Sequence, residues 1–171
     1  VIIYPTDTIW GIGCDATNAE AVKRVYEIKK RSDSKAMLVL VDNAVKVDFY
    51  VDGAPEVAFD LIELTNKPLT IIYDGAKNLA PNLIAEDGSV GIRVTSEEFS
   101  NQLCYRFRKA IVSTSANVSG EPSPATFGEI SDEIKQAVDY IVQSRQQENK
   151  ASQSSSIIKL GKGGQVKVIR E

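Results

Sequence analysis

With 171 residues, 43% of them hydrophobic and 25% charged, the chain has the size and composition of one soluble globular domain spanning 1–171. It contains no histidine, which excludes a Ser-His-Asp triad, and its two cysteines, Cys14 and Cys104, form no CxxC pair, so no protein-held transition metal is expected. No apolar run approaches the roughly 20 residues of a membrane span, the cysteine usage suits a reducing, cytoplasmic setting, and a net charge of −3 argues against a dedicated nucleic-acid binder.

The chain opens inside an apolar run, VIIY (1–4), which predicts a strand and implies a preceding segment. YPTDTIWGIGCDATN (4–18) follows. Pro5 stops regular pairing, Thr6 and Thr8 offer hydroxyls, and Gly11 and Gly13 permit close backbone approach. GIG superficially suggests a dinucleotide loop, but no third glycine follows at the Rossmann spacing, so the match is weak evidence, and a strand-end turn without function is the alternative for this stretch. Thr17 and Glu20 have capping-box spacing ahead of Val22, Val25, Tyr26 and Ile28, which predicts a helix.

That helix runs into KKRSDSKAMLVLV (29–41), where cations suit the negative end of the helix dipole. A bend at Ser32–Ser34 would fold Lys29, Arg31 and Lys35 around one polyphosphate, and neutralising its charge would lower the barrier to attack at phosphorus. No GxxxxGK[ST] sequence is present, so this is not a P-loop. A solvated helix face is the alternative reading of the basic stretch from Lys23 to Lys35.

MLVLV (37–41), LTIIY (69–73) and VGIRV (90–94) predict further strands, with a helix from Pro55 through Val57, Leu61 and Leu64. Arg93 lies inside an apolar strand, where an unpaired guanidinium is costly, so it must meet an acid or face a cavity. Its fork suits a carboxylate or a phosphate. Ser96 is placed to cap a third helix towards Arg108.

AIVS (110–113) then leads into VSTSANVSGEPSP, with Ser113, Thr114 and Ser115 where a strand gives way to a turn. These hydroxyls suit ligand binding, a turn, or a serine nucleophile borrowing a lysine as base. Thr126 and Glu129 repeat the capping-box spacing before Ile130, Ile134 and Val138, and DYIV (139–142) is a short strand. QSRQQENKASQSSS (143–156) is a polar loop of the kind that forms lids. SIIKL (156–160) and VKVIR (166–170), joined through Gly161, Gly163 and Gly164, read as a hairpin. The sum is an α/β domain on a twisted sheet of mixed parallel and antiparallel strands with flanking helices.

Taken together, YPTDTIWGIGCDA, KKRSDSKAM, VGIRV, VSTSANVSGEPSP and the terminal SSSIIKL and VKVIR resemble the YrdC-type threonylcarbamoyl-AMP synthases over nearly the whole chain, in a short form without an extra C-terminal domain. The resemblance implies a sheet curving around a deep, positively lined cavity. It implies that L-threonine, bicarbonate and ATP form threonylcarbamoyl-AMP and pyrophosphate, for the threonylcarbamoyl modification of tRNA adenosine. Magnesium would arrive with ATP and no metal would be held by the protein.

Carried over by motif position, Lys29 and Arg31 would be catalytic. Thr8, Arg93, Ser113 and Ser156 would contact threonine. Lys29, Arg31, Lys35, Ser89, Ser115, Asn117, Ser123 and Arg170 would form the nucleotide site. Binding of tRNA or double-stranded RNA and transfer to a downstream tRNA threonylcarbamoyl transferase are further implications. An RNA-binding or regulatory module that keeps the cavity without the chemistry is the alternative. The chain departs from the family where Leu40 stands at a position that is histidine in many relatives.

Overall fold

Both kinds of strand pairing occur in the sheet. The computed structural model describes residues 1–31, 37–149 and 152–171. Within them, β1 (Ile2–Tyr4), β2 (Gly11–Gly13), β3 (Leu38–Val41), β4 (Leu69–Tyr73), β5 (Val90–Val94), β6 (Ile111–Ser115), β7 (Tyr140–Ile141), β8 (Ser156–Leu160) and β9 (Val166–Arg170) pair in the order 7-1-2-6-3-5-4-8-9. The β1–β7, β3–β5 and β4–β8 pairs are parallel. The remaining pairs are antiparallel. The helices are α1 (Ala19–Lys29), α2 (Val47–Tyr50), α3 (Glu56–Leu64), α4 (Glu98–Phe107) and α5 (Asp132–Ala137). No described helix is long and apolar enough to cross a membrane.

The runs that are apolar without alternation are buried on both faces, as strands covered on two sides must be. Val39, Leu40 and Val41 of β3, Ile71 of β4, Ile92 of β5 and Val112 of β6 all lie in one core. β9 differs: as the outermost strand it leaves Val166, Val168 and Ile169 exposed.

Three helix starts fall one or more residues away from the expected caps, each for a local reason. The Thr17 amide and hydroxyl both donate to Asp15 Oδ1, at 2.8 and 2.6 Å. Thr17 is thereby occupied, and Asn18 caps α1 by accepting from the Ala21 amide. Glu97 rather than Ser96 caps α4, its carboxylate taking the amides of Phe99 and Ser100. Thr126 opens only one 3₁₀ turn, and Ser131 caps α5. The expected polar loop is anchored near its start, where Arg145 pairs with Glu97 at 2.9 Å and Glu148 at 3.0 Å.

GIG is not a turn. It is the inner strand β2, between β1 and β6. A Cβ at Gly13 would stand 2.4 Å from the Val112 carbonyl oxygen and 2.5 Å from Tyr4 Cε1. The missing side chain lets the Tyr4 ring cross the strand, so that its hydroxyl donates to Val112 O at 2.9 Å. Gly13→Ala therefore overpacks the core, and its urea midpoint should fall by the equivalent of about 1–3 kcal/mol with an unchanged m-value. An unaltered midpoint would mean that Tyr4 can move aside freely.

Candidate functional site

Strand register places the polar groups in rows across one face of the sheet, because directly opposed residues point the same way. One row contains Ser113, Leu38, Gly91 and Ile72. The next contains Leu40, Arg93, Thr70, Ile157 and Arg170. Above them lies a cavity of about 410 Å³, lined by Arg31, Arg93 and Arg170 and, among the described residues, by no carboxylate. Gly91 keeps its floor low, since a Cβ there would come within 3.3 Å of Thr70 Cγ2 and 3.4 Å of Leu38 Cβ.

Arg93 is only 2% exposed. Its Nε donates to Asp7 Oδ1 at 3.0 Å, its Nη1 to Thr70 Oγ1 at 3.2 Å and Ser155 Oγ at 3.3 Å, and its Nη2 to Thr8 Oγ1 at 3.3 Å. The sequence required an acid or a cavity, and Arg93 has both. The Thr6 hydroxyl donates to Ile9 O at 2.7 Å and accepts from the Thr8 amide at 3.1 Å, a turn that holds Thr8 against the guanidinium. Burial raises the Asp7 carboxyl above its ordinary range, against the lowering effect of Arg93 beside it.

The end of α1 separates the two expected phosphate ligands. Lys30 takes a left-handed conformation at φ 51°, which turns the chain sharply and sends Lys29 and Arg31 to different places. Arg31 lines the cavity, with Nη1 3.5 Å from Thr114 Oγ1. Lys29 is 2% exposed and lies beneath the Ser-Thr-Ser-Ala-Asn turn instead. Its ammonium donates to Ser115 O at 2.5 Å, Asn117 O at 2.8 Å and Asn117 Oδ1 at 3.2 Å. Burial first, and then the Arg31 charge, pull its pKa down to about 8. Lys29 thus shapes the turn and does not line the cavity.

Thr8, Ser89, Ser113, Ser115, Ser123 and Arg170 join Arg31 and Arg93 on the cavity wall. Asn117 does not. Its side chain accepts from Lys29 and donates to Glu121 O at 2.6 Å. Lys35 lies outside the described residues.

Ser156 does not line this cavity. It pairs with Leu69 and lines a separate cleft with Asp7 and Glu97, whereas Ser155 is 2% exposed and reaches Arg93. Strand alternation is the reason, because Ser155 and Ile157 share the cavity face and Ser156 points away. Arg170 Nε and Nη2 both donate to Ser155 O, at 2.9 and 2.7 Å, and clip this serine in place. Leu40 occupies the Arg93 row and is fully buried.

Comparison with known proteins matches the family Sua5_yciO_yrdC, described as "Telomere recombination", over residues 1–171. The chain is 32% identical to the threonylcarbamoyl-AMP synthase of Pseudoalteromonas translucida over 145 residues, covering 83% of this chain and 78% of that protein. The crystal structure of E. coli YciO superposes with a TM-score of 0.84 at 25% identity, covering all of this chain and 82% of the other. P. abyssi Sua5 complexed with L-threonine superposes with a TM-score of 0.82 at 22% identity, covering 93% of this chain and 46% of that one, a likeness of fold.

The two cations should separate on mutation. Lys29→Met strands carbonyls that the ammonium now satisfies and should cost about 2 kcal/mol of stability, while Arg31→Met should leave the thermal midpoint nearly unchanged and weaken pyrophosphate binding at least tenfold. Equal effects on both readouts would erase the distinction. The pH dependence of stability gives a second check. Below about pH 8 Lys29 is charged in both folded and unfolded chains, and the cost of burying it is present in full. Between about 8 and its ordinary value of 10.5, the unfolded chain binds a proton that the folded chain has released, so this residue's contribution to stability rises with pH. Urea titrations across that range should show wild type gaining on Lys29→Met.

Proposed function

The chain belongs to the Sua5–YciO–YrdC family, and on that footing we propose that it is an L-threonylcarbamoyladenylate synthase, a nucleotidyltransferase acting on L-threonine, bicarbonate and ATP. One observation carries this reading: a buried arginine, ringed by hydroxyls, opens into a cavity whose described lining has three arginines and no carboxylate. Such a wall attracts anions, and all three proposed substrates carry carboxylate, bicarbonate or phosphate groups. The name of the Pseudoalteromonas translucida relative supports the same activity.

The amine of threonine condenses with bicarbonate, losing water, to give a carbamate. A carbamate oxygen then attacks the α-phosphorus of ATP, forming a new P–O bond as the bond to the bridging oxygen breaks and pyrophosphate leaves. No covalent enzyme intermediate is involved, so no nucleophilic serine and no histidine are required. The side chains instead hold reactants together and offset charge.

Arg93 takes the threonine carboxylate, with Thr8, Ser113 and Ser155 around it. Arg31 and Arg170 face the phosphates, with Ser115 and Ser123 donating hydroxyl hydrogen bonds. Magnesium travels with the nucleotide, its ligands being phosphate oxygens and water. The activated product is unstable, which calls for a tRNA threonylcarbamoyl transferase downstream.

Pyrophosphate release by the purified protein should require ATP, L-threonine and bicarbonate together. Release independent of threonine would remove the synthase reading. Within that assay Ser155→Ala should raise the threonine KM about three- to tenfold, whereas Ser156→Ala should change it less than twofold. The reverse ranking would contradict the assignment of faces along β8.

A further inference from the structure

Arg145, in the polar loop after β7, has a left-handed backbone at φ 64°. Among the described non-glycine residues, Lys30, Asn78 and Arg108 share that conformation. Lys30 and Arg108 adopt it at helix ends, and asparagine takes it readily. Arg145 has neither reason, and it is the contacts of its side chain that offset the strain. Its Nη1 donates to Glu97 Oε1 at 2.9 Å and, more weakly, to Thr6 O at 3.4 Å. Its Nε donates to both carboxylate oxygens of Glu148, at 3.1 and 3.0 Å.

Both ends of this bridge bear on Arg93. Glu97 is a fixed post, because its carboxylate takes the amides of Phe99 and Ser100 and the Ser100 hydroxyl, at 2.9, 2.8 and 2.6 Å. Thr6 begins the turn that holds Thr8 against the guanidinium. Among the described hydrogen bonds, residues 5–9 are joined to other segments by Arg93, through Asp7 and Thr8, and by Arg145, through Thr6. Arg145 is thus the anchor of that loop for which a ligand of Arg93 does not compete. It stands behind the Arg93–Asp7 pair, lining the separate cleft with Thr6, Asp7 and Glu97 and not the described wall of the cavity. Its charge matters as well. Burial raises the Asp7 carboxyl and the Glu97 charge adds to that rise, so pairing Glu97 with Arg145 screens Asp7 and keeps its carboxylate for Arg93.

We propose that Arg145 is a positioning residue for the amino-acid end of the cavity: it ties the loop of residues 5–9 to the start of α4, so that Asp7, Thr8 and Arg93 stand ready for a carboxylate before one arrives. The inference rests on the synthase reading above. Arg145 touches no substrate, and what it removes is an ordering cost that binding would otherwise bear. With the bridge cut, the loop hangs on the guanidinium itself, and a carboxylate that engages Arg93 must order the loop as well. A nucleotide facing Arg31 and Arg170 is indifferent to that cost.

The test is pyrophosphate-release kinetics, first with threonine varied at saturating ATP and bicarbonate and then with ATP varied. It takes wild type, Arg145→Gly, Arg145→Lys, Thr8→Val and the double variant Arg145→Gly/Thr8→Val. Glycine accepts φ 64° without strain, so Arg145→Gly removes the contacts while sparing the backbone. It should raise the threonine KM about five- to twentyfold, with kcat and the ATP KM within about twofold of wild type. Arg145→Lys keeps a cation for Glu97 without the fork, so its threonine KM should fall between those of wild type and Arg145→Gly. Because Arg145 acts through the loop that carries Thr8, Arg145→Gly should add less than about twofold in the Thr8→Val background. Thermal melts separate a lost position from a lost fold, and Arg145→Lys serves if Arg145→Gly unfolds, since it must still raise the threonine KM. An unchanged threonine KM in the folded variants, equal rises in the threonine and ATP KM, or full additivity with Thr8→Val overturns this inference alone. Wild-type release that ignores threonine overturns the synthase reading beneath it.

Discussion

The guanidinium of Arg93 is the constraint around which the rest of the site is arranged. A buried cation is tolerated only when its donors are satisfied, and Arg93 draws its acceptors from distant parts of the chain. Asp7 and Thr8 come from the loop after β1, Thr70 from β4, and Ser155 from the approach to β8. Those contacts tie the N-terminal loop, the middle of the sheet and the C-terminal hairpin to one point. Asp7 is the acid among them and accepts from Nε, while the hydroxyls of Thr70 and Ser155 accept from Nη1 and that of Thr8 from Nη2. Charge is balanced at Nε, and hydroxyls that a ligand can displace or join occupy the two terminal nitrogens. A lysine could not divide its donors this way, because its ammonium is a point charge without a planar fork.

A second buried cation plays a different part. Lys29 meets no carboxylate among the hydrogen bonds described for it, and its partners are the carbonyls and side-chain oxygens of Ser115 and Asn117. Drawing those oxygens inward turns the Ser115 and Thr114 region towards the cavity, where Arg31 also arrives after the left-handed turn at Lys30. The Ser119 amide completes the connection by donating to Lys29 O at 2.8 Å. Helix end and serine-rich turn therefore behave as one unit, and displacing either displaces the cationic wall.

The sheet was legible in the sequence because its strands are apolar and β-branched without interruption, as in MLVLV and LTIIY, and only burial on both faces calls for that. β2 was not legible. A three-residue strand with glycine at both ends has no periodicity to detect, and its identity depends on Tyr4 needing the space above Gly13. Arg93 could be picked out because a charge inside an apolar strand demands a partner. Ser155 could not be told from Ser156, since within a run of serines the phase of a strand is set by its neighbour β4 and not by the residues themselves. The burial of Lys29 was hidden for a similar reason: a lysine at a helix end is ordinarily solvated, and the oxygens that hold it lie about ninety residues away. Thr6 and Arg145, behind Arg93, are separated by 139 positions and carry no local signal.

The lack of histidine gains meaning from this layout. With Leu40 in the Arg93 row, that end of the cavity has arginines, hydroxyls and hydrocarbon, and no imidazole to move a proton near neutral pH. In the proposed reaction, transfer to phosphorus from a carbamate does not need one, because the nucleophile is already an anion and the arginines offset the charge of the leaving pyrophosphate. What such a reaction does need is that negative groups approach one another, and a wall with no carboxylate among its described residues lowers that cost at every step. Leu40 is fully buried beside Arg93 in that row, and hydrocarbon surroundings strengthen each of the guanidinium's hydrogen bonds. Hydrocarbon at Leu40, where the resemblance leads one to expect a titratable ring, therefore leaves the electrostatic basis of the site in place.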